Sequence, residues 1–305
     1  MRLALLPIAL CVSIASQEAA VEPIVSIGIW YAGPGAQPPS TNTADAEVLR
    51  RDLAIVRRAG FNAVTTWVTW REAEPKRGAY ALAGVERLIA AAVEADLKVS
   101  LVVFTDPPQW AGVAAQTKGE AEFLSYVTRR LGLQPGVTGI VRHTPAIDAA
   151  PSRIRVAPGT APDARVAMWS AIAGGEKAVA FFGTDDPLGA VLSLGETAGV
   201  VTRNPALFFP LRPRAKGIVG ITGNGPSVDV RLLESADALM IIGLNRAGSP
   251  RKATIQFSPD IPEAIWQNLE TGTAVNFVMG KGGPFLDHTF GPRDAVVLMI
   301  RKKLR

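Results

Sequence analysis

Five aromatic residues and three carboxylates stand where chemistry is commonly done. Trp30, Tyr31, Trp67, Trp70 and Trp110 each lie at or just past the end of a short apolar run, with Glu72, Asp106 and Asp185 at similar places. Indole and phenol rings stack on the apolar faces of pyranose rings, and carboxylates and Arg take the hydroxyls, so these residues would make a sugar-binding rim. The same side chains have plainer uses. The rings can fill a core or seal its edge, Glu72 and Glu74 belong to a Glu-Pro turn, and Asp106, Asp185 and Asp186 can be turn residues or helix caps. Metal chemistry has little to work with, because Cys11, His143 and His288 are the only Cys and His residues. A disulfide scaffold is excluded for the same reason. His143 is a lone histidine in a Pro-rich stretch. No Gly-rich nucleotide loop and no Gly-x-Ser-x-Gly elbow occurs, so no cofactor and no serine-hydrolase site is expected.

The apolar patterning supplies the elements that would position these residues. Residues 24–31 (IVSIGIWY) form a continuous apolar run, the pattern of a strand buried on both faces. Residues 45–59 carry Val48, Leu49, Leu53, Ile55 and Val56 among charges, a helical pattern that Gly60 stops. Residues 61–70 (FNAVTTWVTW) read as a second strand and its exit, 85–97 as a second helix and 99–105 (VSLVVFT) as a third strand. A third helix follows over 120–131 and a fourth strand over 137–141. Strand and helix alternating at about 30-residue spacing predict a parallel sheet with crossover helices. The regularity breaks in 142–162, which holds four prolines and no clear helix. It resumes with a helix over 163–173, Asp163 being the expected cap, and a strand over 177–182. From Ser227 onward, short apolar or alternating runs separated by turn signals predict an antiparallel β-sandwich. The expected boundary is near residues 223–226.

Residues 60–80 read GFNAVTTWVTWREAEPKRGAY. This resembles the signature of clan A glycoside hydrolases, above all the β-galactosidases of families 35 and 42. The flanking helices match in type and spacing, and residues 104–110 (FTDPPQW) resemble the family's third-strand exit. Residues 165–182 look like the helix and strand that close such barrels, and the tail from Val228 is similar to the β-sandwich that often follows. The resemblance implies a TIM-type (β/α) barrel, a retaining mechanism on β-galactosides or related plant glycans, and two catalytic glutamates. One would follow an Asn just after the fourth strand, and the other would end the seventh. Retaining hydrolysis needs two carboxyl groups about 5–5.5 Å apart. Neither glutamate is present: the chain has no Asn-Glu dipeptide and no Glu between Glu122 and Glu176.

Length points to the same shortage. A complete barrel takes about 250 residues, whereas residues 24–212 hold about six βα units, as if about three had been removed within 142–158. The expected architecture is therefore an incomplete (β/α) TIM-type barrel over residues 21–222 and a C-terminal antiparallel β-sandwich over 223–305. The expected function is that of a glycoside hydrolase-like protein of β-galactosidase type, catalytically impaired, its catalytic residues unassigned. The alternative is a non-catalytic carbohydrate-binding or vestigial relative. Substrate contacts are expected from Trp30, Tyr31, Trp67, Trp70, Glu72, Asp106, Trp110 and Asp185. The open edges of an incomplete barrel invite a second copy of the chain, hence a homodimer.

At the N-terminus, one Arg, an apolar run over residues 3–14 and a small-residue exit describe a secretory signal peptide over residues 1–20. Its removal would take Cys11 with it and leave a periplasmic or extracellular protein with no membrane segment. A lipid anchor on Cys11 is disfavoured by the bulky Leu10. The net charge of +5 is spread along the chain without a basic stripe, which argues against a nucleic-acid partner.

Overall fold

The computed structural model describes residues 25–39, 44–112, 116–143, 152–157, 159–183, 188–223, 227–262 and 264–302. The expected signal peptide, Cys11, Asp148, Asp185 and Asp186 lie outside the described residues. The elements in chain order are β1 (Ser26–Trp30), α1 (Ala46–Ala59), β2 (Ala63–Thr69), α2 (Trp70–Ala73), α3 (Ala83–Glu94), β3 (Lys98–Phe104), α4 (Gln116–Leu131) and β4 (Val137–Arg142). Then come β5 (Ser152–Val156), α5 (Ala161–Ala173), β6 (Ala178–Gly183), α6 (Gly189–Leu192), α7 (Gly195–Thr202) and α8 (Pro205–Phe208). The chain ends with β7 (Arg212–Pro213), β8 (Ile218–Gly223), β9 (Val228–Glu234), β10 (Ala238–Asn245), β11 (Arg251–Phe257), β12 (Ile265–Asn268), β13 (Ala274–Asn276), β14 (Val278–Gly280), β15 (Gly283–Phe290) and β16 (Asp294–Arg301).

Strands β1 to β6 form one parallel sheet in the order β4-β3-β2-β1-β6-β5. Parallel neighbours need crossovers, and α1, α3 and α4 supply the first three. β4 and β5 are consecutive in the chain yet sit at opposite edges, and among the described residues each pairs with one neighbour. The stretch read from sequence as lacking structure contains β5 and the start of α5. Arg153-Ile154-Arg155-Val156 alternates exposed and buried as a half-buried strand does, a pattern disguised by the surrounding prolines. Thr160 is the cap of α5, and Asp163 sits inside its first turn, which corrects the expected Asp163 cap. The sheet's outer face, including Ile27, Ile29, Val64, Val68, Leu101 and Val103, is buried in one core with α1, α3, α5 and α7. Where α1 ends, Gly60 takes φ +119°, and a Cβ there would stand 2.4 Å from the Gly195 carbonyl oxygen, so the α1–α7 approach requires glycine.

The later strands form two antiparallel sheets, β13-β12-β16-β10-β9-β7 and β14-β15-β11-β8. Antiparallel pairing starts at Arg212, ahead of the boundary expected near Gly223, because β7 pairs with β9 and β8 with β11. β8 and β15 escaped the sequence reading. β8 is Gly-rich and mostly exposed, and β15 opens with glycine and proline as a turn would. Between the sheets, Phe277 lies between the rings of Phe257 and Trp266, 5.1 Å from each and within 10° of parallel.

β10 is buried at every residue because its two faces belong to different cores. Met240, Ile242 and Leu244 join the core of the parallel sheet and its helices, and Leu239 and Ile241 join the sandwich core. α5 packs against β10 and β16, and a polar clamp fixes the contact. Arg165 of α5 donates from Nε to Glu270 Oε1 at 3.0 Å, from Nη2 to Glu270 Oε2, and from Nη1 to Asp294 Oδ1 at 2.9 Å. Its Nη2 also reaches the Ala295 carbonyl at 2.7 Å, and Trp169 Nε1 donates to Glu270 Oε1 at 3.0 Å. Burial opposes the guanidinium charge, but hydrogen bonds and charge from Glu270 and Asp294 outweigh it and hold the Arg165 pKa above its usual value.

Truncating one partner of such a half-buried pair leaves the other charge unpaired. Arg165→Ala is expected to cost about 2–4 kcal/mol of stability in denaturant unfolding, and Arg165→Met less than Arg165→Ala, because the stem still packs.

Candidate functional site

Paired residues of neighbouring strands share a face, and successive residues alternate faces. The register therefore defines the inner face of the parallel sheet, away from α1 and α3. It carries Gly28 and Trp30 on β1, Thr65, Trp67 and Thr69 on β2, Ser100, Val102 and Phe104 on β3, and Ala180 and Phe182 on β6. Arg153 and Arg155 on edge strand β5 are in register with Ala180 and Phe182. Trp30 and Trp67 meet with ring centroids 6.1 Å apart, and Phe182 stands edge-on to Trp30 at 6.4 Å. The Arg153 guanidinium lies 4.5 Å from the centroid of the Trp30 ring and 4.4 Å from that of Phe182. At the far side, the His143 ring lies 4.5 Å from Phe104.

These positions alter the expected rim. Trp30 is 2% exposed and Trp67 0%, so both act as floor, whereas Arg153 and Arg155 on the same face are exposed. The buried Trp30 Nε1 has no hydrogen-bond partner among the described residues. No Asp or Glu lies within β1 to β6 themselves.

Trp70, Trp110 and Glu74 form a separate cluster in which Glu74 is the hub. It is buried, accepting from Trp70 Nε1 at 2.7 Å and from the Gly78 backbone N–H at 2.7 Å, while its own carbonyl accepts from Trp110 Nε1 at 2.8 Å. Trp70 stacks on Phe123 at 5.9 Å and stands edge-on to Trp110 at 6.1 Å. Tyr80 stacks on Tyr126 at 3.7 Å, and its pKa is raised by burial and by the nearby Glu74 charge. The Trp-x-x-x-Glu-Pro-x-x-Gly-x-Tyr spacing is thus the wiring of a turn: Trp70, Glu74, Gly78 and Tyr80 are parts of one hydrogen-bonded and stacked unit.

Tyr31 faces the helix layer, which corrects its assignment to the rim. Its hydroxyl donates to Asp52 Oδ2 of α1 at 2.6 Å, and burial, then this hydrogen bond, push its pKa well above the tyrosine range. Asp106 is exposed just past β3. Glu72 lines a cavity of about 310 Å³ behind the sheet, shared with Thr66, Thr69, Leu49, Val85 and Leu88 from β2, α1 and α3. Thr66 Oγ1 is buried there without a partner among the described residues. The sequence reading missed Arg153, Arg155 and Phe182; the one signal for the arginines was the period-two alternation of β5.

Comparison with known proteins follows this division. Residues 40–115, which hold the Glu74 unit, match the family model Glyco_hydro_42, described as β-galactosidase. Over this segment the chain is similar to β-galactosidases. Among solved structures, a noncanonic maltogenic α-amylase from Thermotoga neapolitana matches with TM-score 0.55 at 9% identity, over 91% of this chain and 99% of that one. A family 39 glycoside hydrolase from Bacteroides cellulosilyticus matches with TM-score 0.50 at 11% identity, over 91% and 81%. These two likenesses are of fold. GH5_18 from Bifidobacterium longum subsp. longum matches with TM-score 0.33 at 20% identity, over 38% of this chain and 32% of that one, so this chain spans about a third of its length. No curated protein sequence matches. Among the described residues, no helix is long and apolar enough to cross a membrane, and no group of three or more His, Cys, Asp or Glu could hold a metal ion.

Two substitutions test this assignment of roles. Glu74→Gln replaces an acceptor oxygen by a donor amide facing a donor, and is expected to lower stability by about 1.5–3 kcal/mol in a thermal or urea melt. Thr66→Val removes a buried unpaired hydroxyl at constant shape and is expected to raise stability by about 1 kcal/mol in the same melts.

Proposed function

We propose that this chain binds β-galactosides or related glycans on the inner face of its parallel sheet and hydrolyses them weakly or not at all. The observation that carries the reading is the composition of that face. Aromatic side chains and two arginines occupy it, and the strands themselves bring no carboxylate to it. A retaining glycosidase needs a facing pair of carboxyl groups. The matched segment supports a glycosidase-like ancestry, and the carboxylate of its Trp-x-x-x-Glu-Pro motif, Glu74, is spent on Trp70 and Gly78.

We read the parallel sheet as an incomplete barrel. The first strand pairs with the last, β6, as a closed barrel requires, while the chain passes from one open edge at β4 to the other at β5. That passage is where barrel strands bearing the catalytic pair would otherwise lie. The open edges are where a second copy would add strands, and the N-terminal apolar run supports export to the periplasm or the extracellular space.

Incubation with a nitrophenyl β-galactoside is expected to yield no product above background, while galacto-oligosaccharides change the Trp fluorescence saturably. Turnover well above background that is lost in Asp106→Asn or Asp185→Asn would overturn the impairment. Absence of any glycan-dependent signal would overturn the binding.

A further inference from the structure

We infer that the cavity behind the sheet is a second binding site, for a small uncharged ligand with an apolar body and a single hydroxyl. The site does not depend on the glycan reading, because it lies on the helix side of β2, opposite the inner face. Its volume of about 310 Å³ sits at the lower end of ligand pockets, and an apolar cavity of roughly half that size holds benzene. Leu49 of α1, Val68 of β2, and Leu82, Val85 and Leu88 at α3 make its apolar wall, and all are buried. Glu72, Ala81 and Gly84 form the mouth; the first two are exposed and the third is half-buried.

One polar atom distinguishes this wall from a packing defect. The helix-facing side chains of β2 are Val64, Thr66 and Val68, and Thr66 pairs with Leu101 on β3. Thr66 is fully buried, and its Oγ1 has no hydrogen-bond partner among the described residues. A buried hydroxyl left unpaired is destabilising, whereas valine would fill the same volume without that cost. Rotation about Cα–Cβ exchanges the threonine methyl and hydroxyl, so a guest in the cavity can share a hydrogen bond with Thr66. Thr69 at the strand end does not compete, since its hydroxyl donates to the Pro39 carbonyl. The ligand class follows from this inventory. One hydroxyl in an apolar wall satisfies one polar group on the guest, which excludes a sugar with its many hydroxyls. Among the described residues the one charged group of the lining, Glu72, is at the mouth, so an ion of either sign would find no counter-ion inside.

The test titrates the full chain with p-cresol and with p-xylene, which has the same shape but a methyl in place of the hydroxyl, followed by ligand-observed NMR. Both are expected to bind saturably. In Thr66→Val, p-cresol is expected to lose about tenfold in affinity relative to p-xylene, because its hydroxyl is then buried without a partner. Ala81→Trp, at the exposed mouth, is expected to weaken both about tenfold or more. Thr66→Val keeps the side-chain shape, so its comparison stands whether or not Ala81→Trp folds. Failure of both compounds to bind the unsubstituted chain would overturn the inference. An unchanged ratio of the two affinities in Thr66→Val, or full affinity for both in a folded Ala81→Trp, would also overturn it. None of these outcomes involves a glycan, so this site and the glycan face stand or fall separately.

Discussion

Strand β10 has to satisfy two hydrophobic cores at once, and much of the molecule is arranged around that requirement. Its even-numbered residues Met240, Ile242 and Leu244 face the helices of the parallel unit, and Leu239 and Ile241 face the sandwich interior. A strand with period two and no polar face can only be stable if both sides are covered. One cover is α5. The other is the second sheet, where Phe290 lies so close to Gly243 that a Cβ there would stand 2.8 Å from its ring. Each large side chain buried this way contributes roughly 1.5–3 kcal/mol, and the Arg165 clamp then selects one orientation of α5 on the sheet among those that greasy packing alone would permit. The two parts of the chain therefore share a core.

The inner face of the parallel sheet depends on that arrangement. α5 lies beside β5, the edge strand that presents Arg153 and Arg155. By fixing α5 from behind, the sandwich holds the strand whose arginines point forward. On the opposite side of the sheet, the Glu74 unit ties the exit of β2 to the loop after β3 through Trp110. Both ends of the face are thus held by polar contacts made away from it.

Glu74 shows how a family signature can be read too eagerly as chemistry. A glutamate beside two tryptophans looks like part of a sugar site. Its carboxylate instead accepts from one indole and one backbone N–H, and its carbonyl accepts from the other indole. These bonds and stacks link an acid to an indole four residues before it, a glycine four after it and a tyrosine two further on. The same reasoning applies to Tyr31, whose hydroxyl is committed to Asp52.

Much of this protein was legible in its residues alone. The first four strands and their three crossover helices follow from apolar runs of the right length and from helical spacing, because both signals are local. The short strands of the later antiparallel sheets and the absence of an Asn-Glu dipeptide are readable for the same reason. Tertiary structure alone decided which face each aromatic took, since Trp30 and its neighbour Tyr31 look equivalent in sequence yet alternate to opposite sides of one strand. It also decided that β5 exists, because a five-residue edge strand between prolines carries too little pattern to be read without β6 beside it. The pairing of Arg153 with Trp30 and Phe182 joins residues far apart in the chain, and no spacing rule reports it. Local patterning specifies elements, whereas the face a side chain occupies, and the partner it meets there, depend on strand register and on what packs behind.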